Sequence, residues 1–267
     1  MLVGVPKEIK VHEYRVGLTP ESVRELVARG HRVIVQRDAG AGIGATDAEY
    51  VAAGAAIAAG AEEVFKQAEL IVKVKEPLAQ ERALLRAGQA LFTYLHLAAD
   101  AEQTRDLVKS GVIGIAYETV TSSTGRLPLL APMSEVAGRM AVQVAAHFLE
   151  RAHGGRGVLL AGATGVPPGR VLVLGAGVVG SNAALIALGM GAEVVVLSNT
   201  AAPFGRLKAE LGPRLKTGIS TPQAIAEELR GADAVIATAM VPGGLAPKLV
   251  TRPMLASMKQ GAVVVDV

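Results

Sequence analysis

The stretch from Arg170 to Ser198, RVLVLGAGVVGSNAALIALGMGAEVVVLS, constrains the chain more than any other. An apolar run, Val171 to Leu174, leads into Gly175-Ala176-Gly177-Val178-Val179-Gly180, then a small-residue helical pattern, then a second apolar run from Val194 to Leu197. Strand, glycine turn, helix and strand make one βαβ unit of the dinucleotide-binding kind. Gly175 permits the tight turn off the strand. Gly177, lacking a Cβ, lets a pyrophosphate approach the backbone. Gly180 lets the helix pack closely on the sheet. The helix start then offers free N–H groups and partial positive charge to the phosphates. One position departs from the pattern: the second strand ends on Ser198, followed by Asn199 and Thr200, where an acidic residue usually holds the ribose hydroxyls.

Composition sets the frame. The 267 residues are enough for two domains, and at 51% hydrophobic they can bury large cores. A net charge of +3, with no Lys/Arg block, gives no footprint for nucleic acid. Cysteine is absent, so disulfides and thiol catalysis are excluded, which fits a reducing compartment such as the cytoplasm. The opening MLVGVPKEIK is charged too early for a secretory leader, and no apolar run is long enough to span a membrane.

Strands and helices alternate along the chain, predicting two α/β domains, each with a mainly parallel sheet flanked by helices. Leu2 to Val5 is a strand; Thr19 caps a helix beginning with Pro20; Val33 to Val35 is the next strand. Asp47 is expected to cap a short helix, and Leu70 to Lys75, Ala90 to Leu95 and Val112 to Tyr117 to be strands. Asp100 is expected to cap a helix over Ala101 to Lys109. Leu127 to Pro132 reads as an extended connector, after which Ser134 caps a long bridging helix to Arg151, with Val136, Met140, Val144 and Phe148 as its apolar stripe. Residues 1–133 are therefore expected to form a substrate domain, and residues 134–267 a Rossmann-type nucleotide domain that includes the bridging helix. His12, His31, His147 and His153 show no metal-ligand spacing with Cys or paired carboxylates, and no metal site is expected.

Several segments carry a family likeness. MLVGVPKEIKVHEYRVGLTP, IVKVKEP, LFTYLHLAAD, GIAYETV, PLLAPMSEVAGRMA, GGRGVLL and VLGAGVVG closely resemble alanine dehydrogenase. Looser likenesses are to the NAD-binding subunit of transhydrogenase and the saccharopine-type dehydrogenases. The resemblance spans essentially the whole chain. It implies reversible oxidative deamination of L-alanine to pyruvate and ammonia with NAD, in a homo-oligomer that is a hexamer. The alternatives are a transhydrogenase-like nucleotide-binding subunit and a truncated paralogue.

Arg15 lies in the loop after the first strand, and Lys75 and His96 at strand ends, where open α/β sheets bind ligands. An Arg fork with a nearby Lys suits a carboxylate, and His suits proton transfer near neutrality. Taken singly, Arg15 and Lys75 read as surface charges and His96 as a hydrogen-bonded core histidine. The resemblance implies that Arg15 and Lys75 hold the substrate carboxylate and carbonyl, that His96 is the acid/base, and that Met133 and Ser134 border substrate and cofactor. Glu118, at another strand end, is a candidate for lining the pocket. In the family the chain returns to complete the first domain, carrying a catalytic Asp just past the strand matching Val263 to Val267. Asp266 is a poor substitute, so a chain ending at Val267 is expected to be a poor catalyst. Ser198, with Asn199, Thr200 and Arg206, leaves NADP open beside NAD.

Overall fold

The structure is a computed structural model that describes residues 1–239 and 248–267. The chain divides into two compact units, Met1–Leu129 and Leu130–Val267.

The first unit runs β1 (Leu2–Val5), α1 (Pro20–Ala28), β2 (Arg32–Gln36), α2 (Asp47–Ala52), β3 (Ala56–Ala58), α3 (Ala61–Gln67), β4 (Leu70–Val72), α4 (Ala79–Arg82), β5 (Ala90–Thr93), α5 (Ala101–Ser110) and β6 (Ile113–Ala116). Its six strands are ordered β3-β2-β1-β4-β5-β6, all parallel. The order reverses between β1 and β4, so a crevice opens beyond the carboxyl ends of those strands. One side of the sheet packs Val3, Val5, Val33 and Val35 with Val23 and Tyr50; the other packs Ile34, Ile71 and Leu91 with Val64, Phe65 and Leu107. Each buried Val, Leu, Ile or Phe contributes roughly 1.5–3 kcal/mol.

The second unit runs α6 (Ala131–Phe148), β7 (Arg170–Leu174), α7 (Val178–Gly189), β8 (Glu193–Ser198), α8 (Phe204–Leu211), β9 (Lys216–Ile219), α9 (Pro222–Gly231), β10 (Ala234–Ala237), α10 (Arg252–Ala256) and β11 (Val263–Asp266). Among the described residues its strands are ordered β11-β10-β7-β8-β9, again all parallel, with the reversal between β7 and β10. The two-residue strand period sorts the apolar run on β7: Val171 and Val173 face the cluster under α6 and α7, and Leu172 and Leu174 face Ile225 and Leu229 of α9.

Several local expectations are corrected. Thr46, not Asp47, caps α2: its hydroxyl accepts the Glu49 N–H and the Glu49 carboxylate accepts the Thr46 N–H, a closed capping box. Residues 127–132 are not extended; a turn runs directly into α6, which starts at Ala131 with Pro132 in its first turn. Ser134 is therefore inside the helix and its N–H already bonds the Leu130 carbonyl at 3.0 Å. The expected stripe on α6 is not its buried face either. Val136, Met140 and Phe148 are exposed, while Gly138, Ala141, Val142 and Ala145 are buried. The reason is closeness of approach: a Cβ on Gly138 would lie 2.2 Å from the Val179 carbonyl oxygen of α7, so small residues, not large ones, make the contact. The chain also forms β3, α3, α4, α8 and β9, none of which its apolar spacing announced.

Candidate active site

The apolar runs predicted β4 to Lys75 and β5 to Leu95, but both strands stop earlier. Each stops where a carboxylate takes over the backbone donors. After β4, Glu8 accepts the N–H of Val74 at 2.6 Å and of Lys75 at 3.4 Å. After β5, Glu118 accepts the N–H of Leu95 at 3.1 Å and of His96 at 2.7 Å. The loops bearing Lys75 and His96 are thus tied down by charge-assisted bonds in addition to the last backbone bond between them, from the Tyr94 N–H to the Val74 carbonyl at 3.2 Å. Glu118, a candidate for lining the pocket, has its carboxylate on the backbone N–H groups of Leu95 and His96. The left-handed bend at His96, φ 49° and ψ 40°, turns consecutive N–H groups one way and so makes a small anion nest.

Beneath these loops lies a residue that the sequence did not single out. Lys73 is wholly buried, with its Nζ 2.6 Å from Glu81 and 3.1 Å from Glu8. Glu8 therefore links a buried cation to the backbone just before Lys75. Nothing in the alternation IVKVK distinguishes Lys73 from Lys75; the difference is burial, Lys73 being enclosed just past the end of β4 and Lys75, two residues on, partly exposed.

Arg15 extends from the loop after β1. Glu13 grips it through Nε at 2.8 Å and through a terminal nitrogen at 2.6 Å, a bidentate pair. The hydrogen bond from Arg15 holds the Glu13 carboxyl below its ordinary value, against burial, which raises it; the charge of Lys75 acts in the same lowering sense. The same hydrogen bond raises Arg15, so the guanidinium stays charged. Tyr94 lies within electrostatic reach of Arg15 and stacks on the His96 ring, with centroids 5.8 Å apart and planes 10° apart. The Tyr94 hydroxyl donates to the Leu129 carbonyl at 2.6 Å. Arg15, Lys75 and His96 thus belong to one set of loops at the carboxyl end of the first sheet. Glu13, Glu8, Glu76 and Tyr94 join them, and their sequence positions gave no signal of this.

In the second unit the three glycines have distinct surroundings. Gly175 has φ 117°, open to glycine, and a Cβ there would meet the Thr238 hydroxyl at 2.5 Å. A Cβ on Gly180 would sit 2.0 Å from the Gly175 carbonyl oxygen. A Cβ on Gly177 would meet nothing within 4 Å, so that side of the turn faces open space. Gly177 is also the N-cap of α7, with no side chain capping the helix. Thr238, after β10, donates to the Leu174 carbonyl at 3.0 Å and closes the other side of the reversal point. A backbone opening at an uncapped helix start, beside the sheet reversal, fits a dinucleotide pyrophosphate. Ala176, Val178 and Val179 supply the rest of that turn's backbone.

Ser198 ends β8 and is buried; its hydroxyl accepts the Thr200 N–H at 3.4 Å, while Asn199 and Thr200 are exposed. Arg206 pairs with Glu210 at 2.9 Å and reaches the Ser181 hydroxyl at 3.4 Å. Met133 and Ser134 lie in the first turns of α6, about one turn before the Gly138 contact with Val179. His147, Glu150 and His153 offer ligand atoms all within 4.8 Å of one another, a grouping able to hold a metal ion, with all three residues exposed.

Comparison with known proteins decides the family. Residues 4–137 match the family described as "Alanine dehydrogenase/PNT, N-terminal domain", and residues 141–267 match "Alanine dehydrogenase/PNT, C-terminal domain". The chain belongs to the alanine dehydrogenase/PNT family. Alanine dehydrogenase of Halomonas elongata is 57% identical over 267 residues, covering 100% of this chain and 72% of that protein. A solved L-alanine dehydrogenase superposes with a TM-score of 0.91 at 48% identity, covering 100% of this chain and 74% of that one. A transhydrogenase from Sinorhizobium meliloti superposes at 0.80 with 34% identity, covering 99% and 77%. The α/β fold and the nicotinamide-cofactor class follow from this membership. No helix among the described residues is long and apolar enough to cross a membrane.

Proposed function

We propose that this protein is an L-alanine dehydrogenase, catalysing the reversible oxidative deamination of L-alanine to pyruvate and ammonia with NAD. The observation that carries the reading is the set of Arg15, Lys75 and His96 on carboxylate-braced loops at the reversal point of the first sheet. Identity favours it over the transhydrogenase alternative, at 57% against 34% for the relatives above.

Arg15 and Lys75 bind the substrate carboxylate and carbonyl side, fixing the α-carbon in one orientation. A nicotinamide dinucleotide held through its pyrophosphate at the glycine turn would supply the acceptor for the hydride of that carbon. His96 takes a proton from water as it adds to the imine carbon, and returns a proton to the nitrogen as ammonia leaves. Met133 borders the substrate and Ser134 the cofactor. Gly175 to Gly180 hold the pyrophosphate through backbone N–H groups and the α7 start. Domain roles follow the two compact units, Met1–Leu129 for substrate and Leu130–Val267 for nucleotide, a boundary four residues before the expected one between 133 and 134. The exposed face of Val136, Met140 and Phe148 supports association into a homo-oligomer, a hexamer by family likeness. The absence of cysteine is in keeping with the cytoplasm.

Cofactor choice is read from Ser198. A carboxylate there would bind the ribose hydroxyls and repel a 2′-phosphate; serine does neither as well, and exposed Asn199 and Thr200 can donate to a phosphate. NADP is accordingly accepted beside NAD, and Ser198→Asp should restore NAD preference by roughly ten- to a hundredfold, the size of one charge-assisted bond. A wild type that excludes NADP as firmly as the Asp variant overturns this.

The activity is tested in the full chain by NADH formation with L-alanine and NADH consumption with pyruvate and ammonium. His96→Ala should lower kcat by ~10²–10⁴-fold with NADH binding retained. Near-native turnover by that variant removes His96 from the chemistry.

A further inference from the structure

Glu76 follows Lys75 in the loop after β4, and its two carboxylate oxygens have different fates. Oε1 is held by the Lys10 ammonium. Oε2 is buried and has no hydrogen-bond partner, one of very few such side-chain atoms among the described residues. It lies 3.5 Å from Nδ1 of His96. A buried carboxylate oxygen without a donor is costly, and folded chains retain such atoms where something uses them. The donor within reach is the imidazole. The ring's freedom is limited from two other sides as well: Tyr94 stacks on its face, and Glu118 holds its backbone N–H.

We propose that Glu76 is the positioning residue of His96: its Oε2 accepts the Nδ1–H, fixing the neutral ring in that tautomer and turning Nε2 toward the substrate. This rests on the assignment of His96 as the acid/base in the proposed function. The proton balance is simple. Nε2 accepts the proton released when water adds to the imine carbon, and the imidazolium keeps its Nδ1–H on Glu76. Nε2 then gives that proton to the carbinolamine nitrogen; as the C–N bond breaks and the carbonyl forms, the hydroxyl proton passes to Nε2 and on to solvent, and the ring returns to its starting tautomer. Glu76 gains and loses no proton in the cycle; it stabilises the imidazolium and prevents the ring from presenting the wrong nitrogen.

The carboxyl of Glu76 is suited to this. Burial pushes its pKa up, but the Lys10 hydrogen bond and the charges of Lys10 and Lys75 bring it below the ordinary glutamate value. The charged and titratable groups around the ring are Glu76 on its Nδ1 side, Glu118 at its backbone N–H, and Tyr94 on its face. Lys10 and Lys75 lie beyond Glu76, and Arg15 acts on Tyr94.

The test uses the full chain with NAD and L-alanine. Glu76→Gln keeps an acceptor oxygen near Nδ1 but removes the charge. It should lower kcat by ~10–10²-fold. It should also move the acid limb of the kcat/KM profile to lower pH, with NADH affinity unchanged and Glu76→Asp intermediate. ¹⁵N NMR of the wild-type protein reads the tautomer without any variant, and the neutral His96 ring should carry its proton on Nδ1. A ring protonated on Nε2, or a Glu76→Gln profile whose acid limb does not move, overturns the proposal while leaving His96 as the acid/base. Native turnover by His96→Ala overturns both together, so the two failures are distinguishable.

Discussion

Glu118 accepts the backbone N–H of His96 at 2.7 Å, and this one bond spans the turn after β6 and the bend after β5. His96 is one of three non-glycine residues with positive φ among the described residues. Such a conformation costs about 1–3 kcal/mol and persists only where the surroundings impose it. Glu118→Ala should therefore release the bend. We expect a loss of roughly 1–3 kcal/mol from the unpaired N–H groups. Loss of alignment should lower kcat by up to ~10²-fold, with KM for NAD unaffected. Kinetics and denaturant titration of the same variant check both, and unchanged kcat would detach the bend from the chemistry.

Lys73 is enclosed between Glu8 and Glu81. Lys73→Met leaves two buried carboxylates facing each other without a cation. That should cost about 3–5 kcal/mol, the usual penalty for breaking a buried pair. Lys75→Met, two residues on, should cost far less stability and far more activity. Thermal unfolding and turnover measured side by side give the contrast, and equal stability of the two variants would contradict it.

The glycine turn offers a cleaner separation. Gly177 has a negative φ of −74°, open to any L residue, and open space where a Cβ would be, so Gly177→Ala should keep its melting temperature and lose nucleotide affinity. Gly180→Ala drives a Cβ into the Gly175 carbonyl, so it should lose stability as well, by about 1–3 kcal/mol, the usual range for overpacking. NADH titration and calorimetry report the two effects separately. A Gly177→Ala protein that binds NADH normally would show that the opening is not a phosphate cradle.

Much of this second site was legible beforehand, because its three glycines and their strand and helix are contiguous in sequence. The carboxylates of the first unit were not. Glu8 meets Lys73 across 65 positions, and Glu118 meets His96 across 22; neither partner lies within a helical or strand period of the other. Periodicity also misread α6, because it weighs large apolar residues such as Val136 and Met140. The actual contact with α7 depends on how small Gly138 and Ala141 are. The strands after Val72 and Thr93 were overrun for a related reason: the apolar pattern continues, but a distant side chain has taken the backbone donors.

Tyr50 sets an alkaline limit. Its hydroxyl donates to the Leu18 carbonyl at 2.8 Å, and burial, aided by the charges of Glu49 and Asp47, pushes its pKa from 10.0 to about 12. A raised pKa means the folded state holds the proton more tightly. The resulting stability is complete below pH 10.0 and declines as pH rises toward about 12. Tyr50→Phe should lower neutral-pH stability by about 1 kcal/mol and flatten, without abolishing, the alkaline decline. Tyr117, also raised by burial, continues to contribute. Urea titrations at neutral and alkaline pH compare the slopes, and parallel curves for the two proteins would remove Tyr50 from the effect.

The strand orders have a consequence for the chain as it is made. In the first unit β1 emerges first and ends up central; β2 and then β3 add outward on one side, and β4, β5 and β6 outward on the other. The second unit repeats the pattern from β7, with β8 and β9 on one side and β10 and β11 on the other. Every described strand after the first of its unit therefore finds, at the moment it leaves the ribosome, a partner that has already been synthesised. Among the described strands, none has to be inserted between two that are already paired. An all-parallel sheet is slow to assemble from a complete unfolded chain because its pairings are distant in sequence. Synthesis from the N-terminus converts that search into successive additions at a growing edge, one crossover at a time.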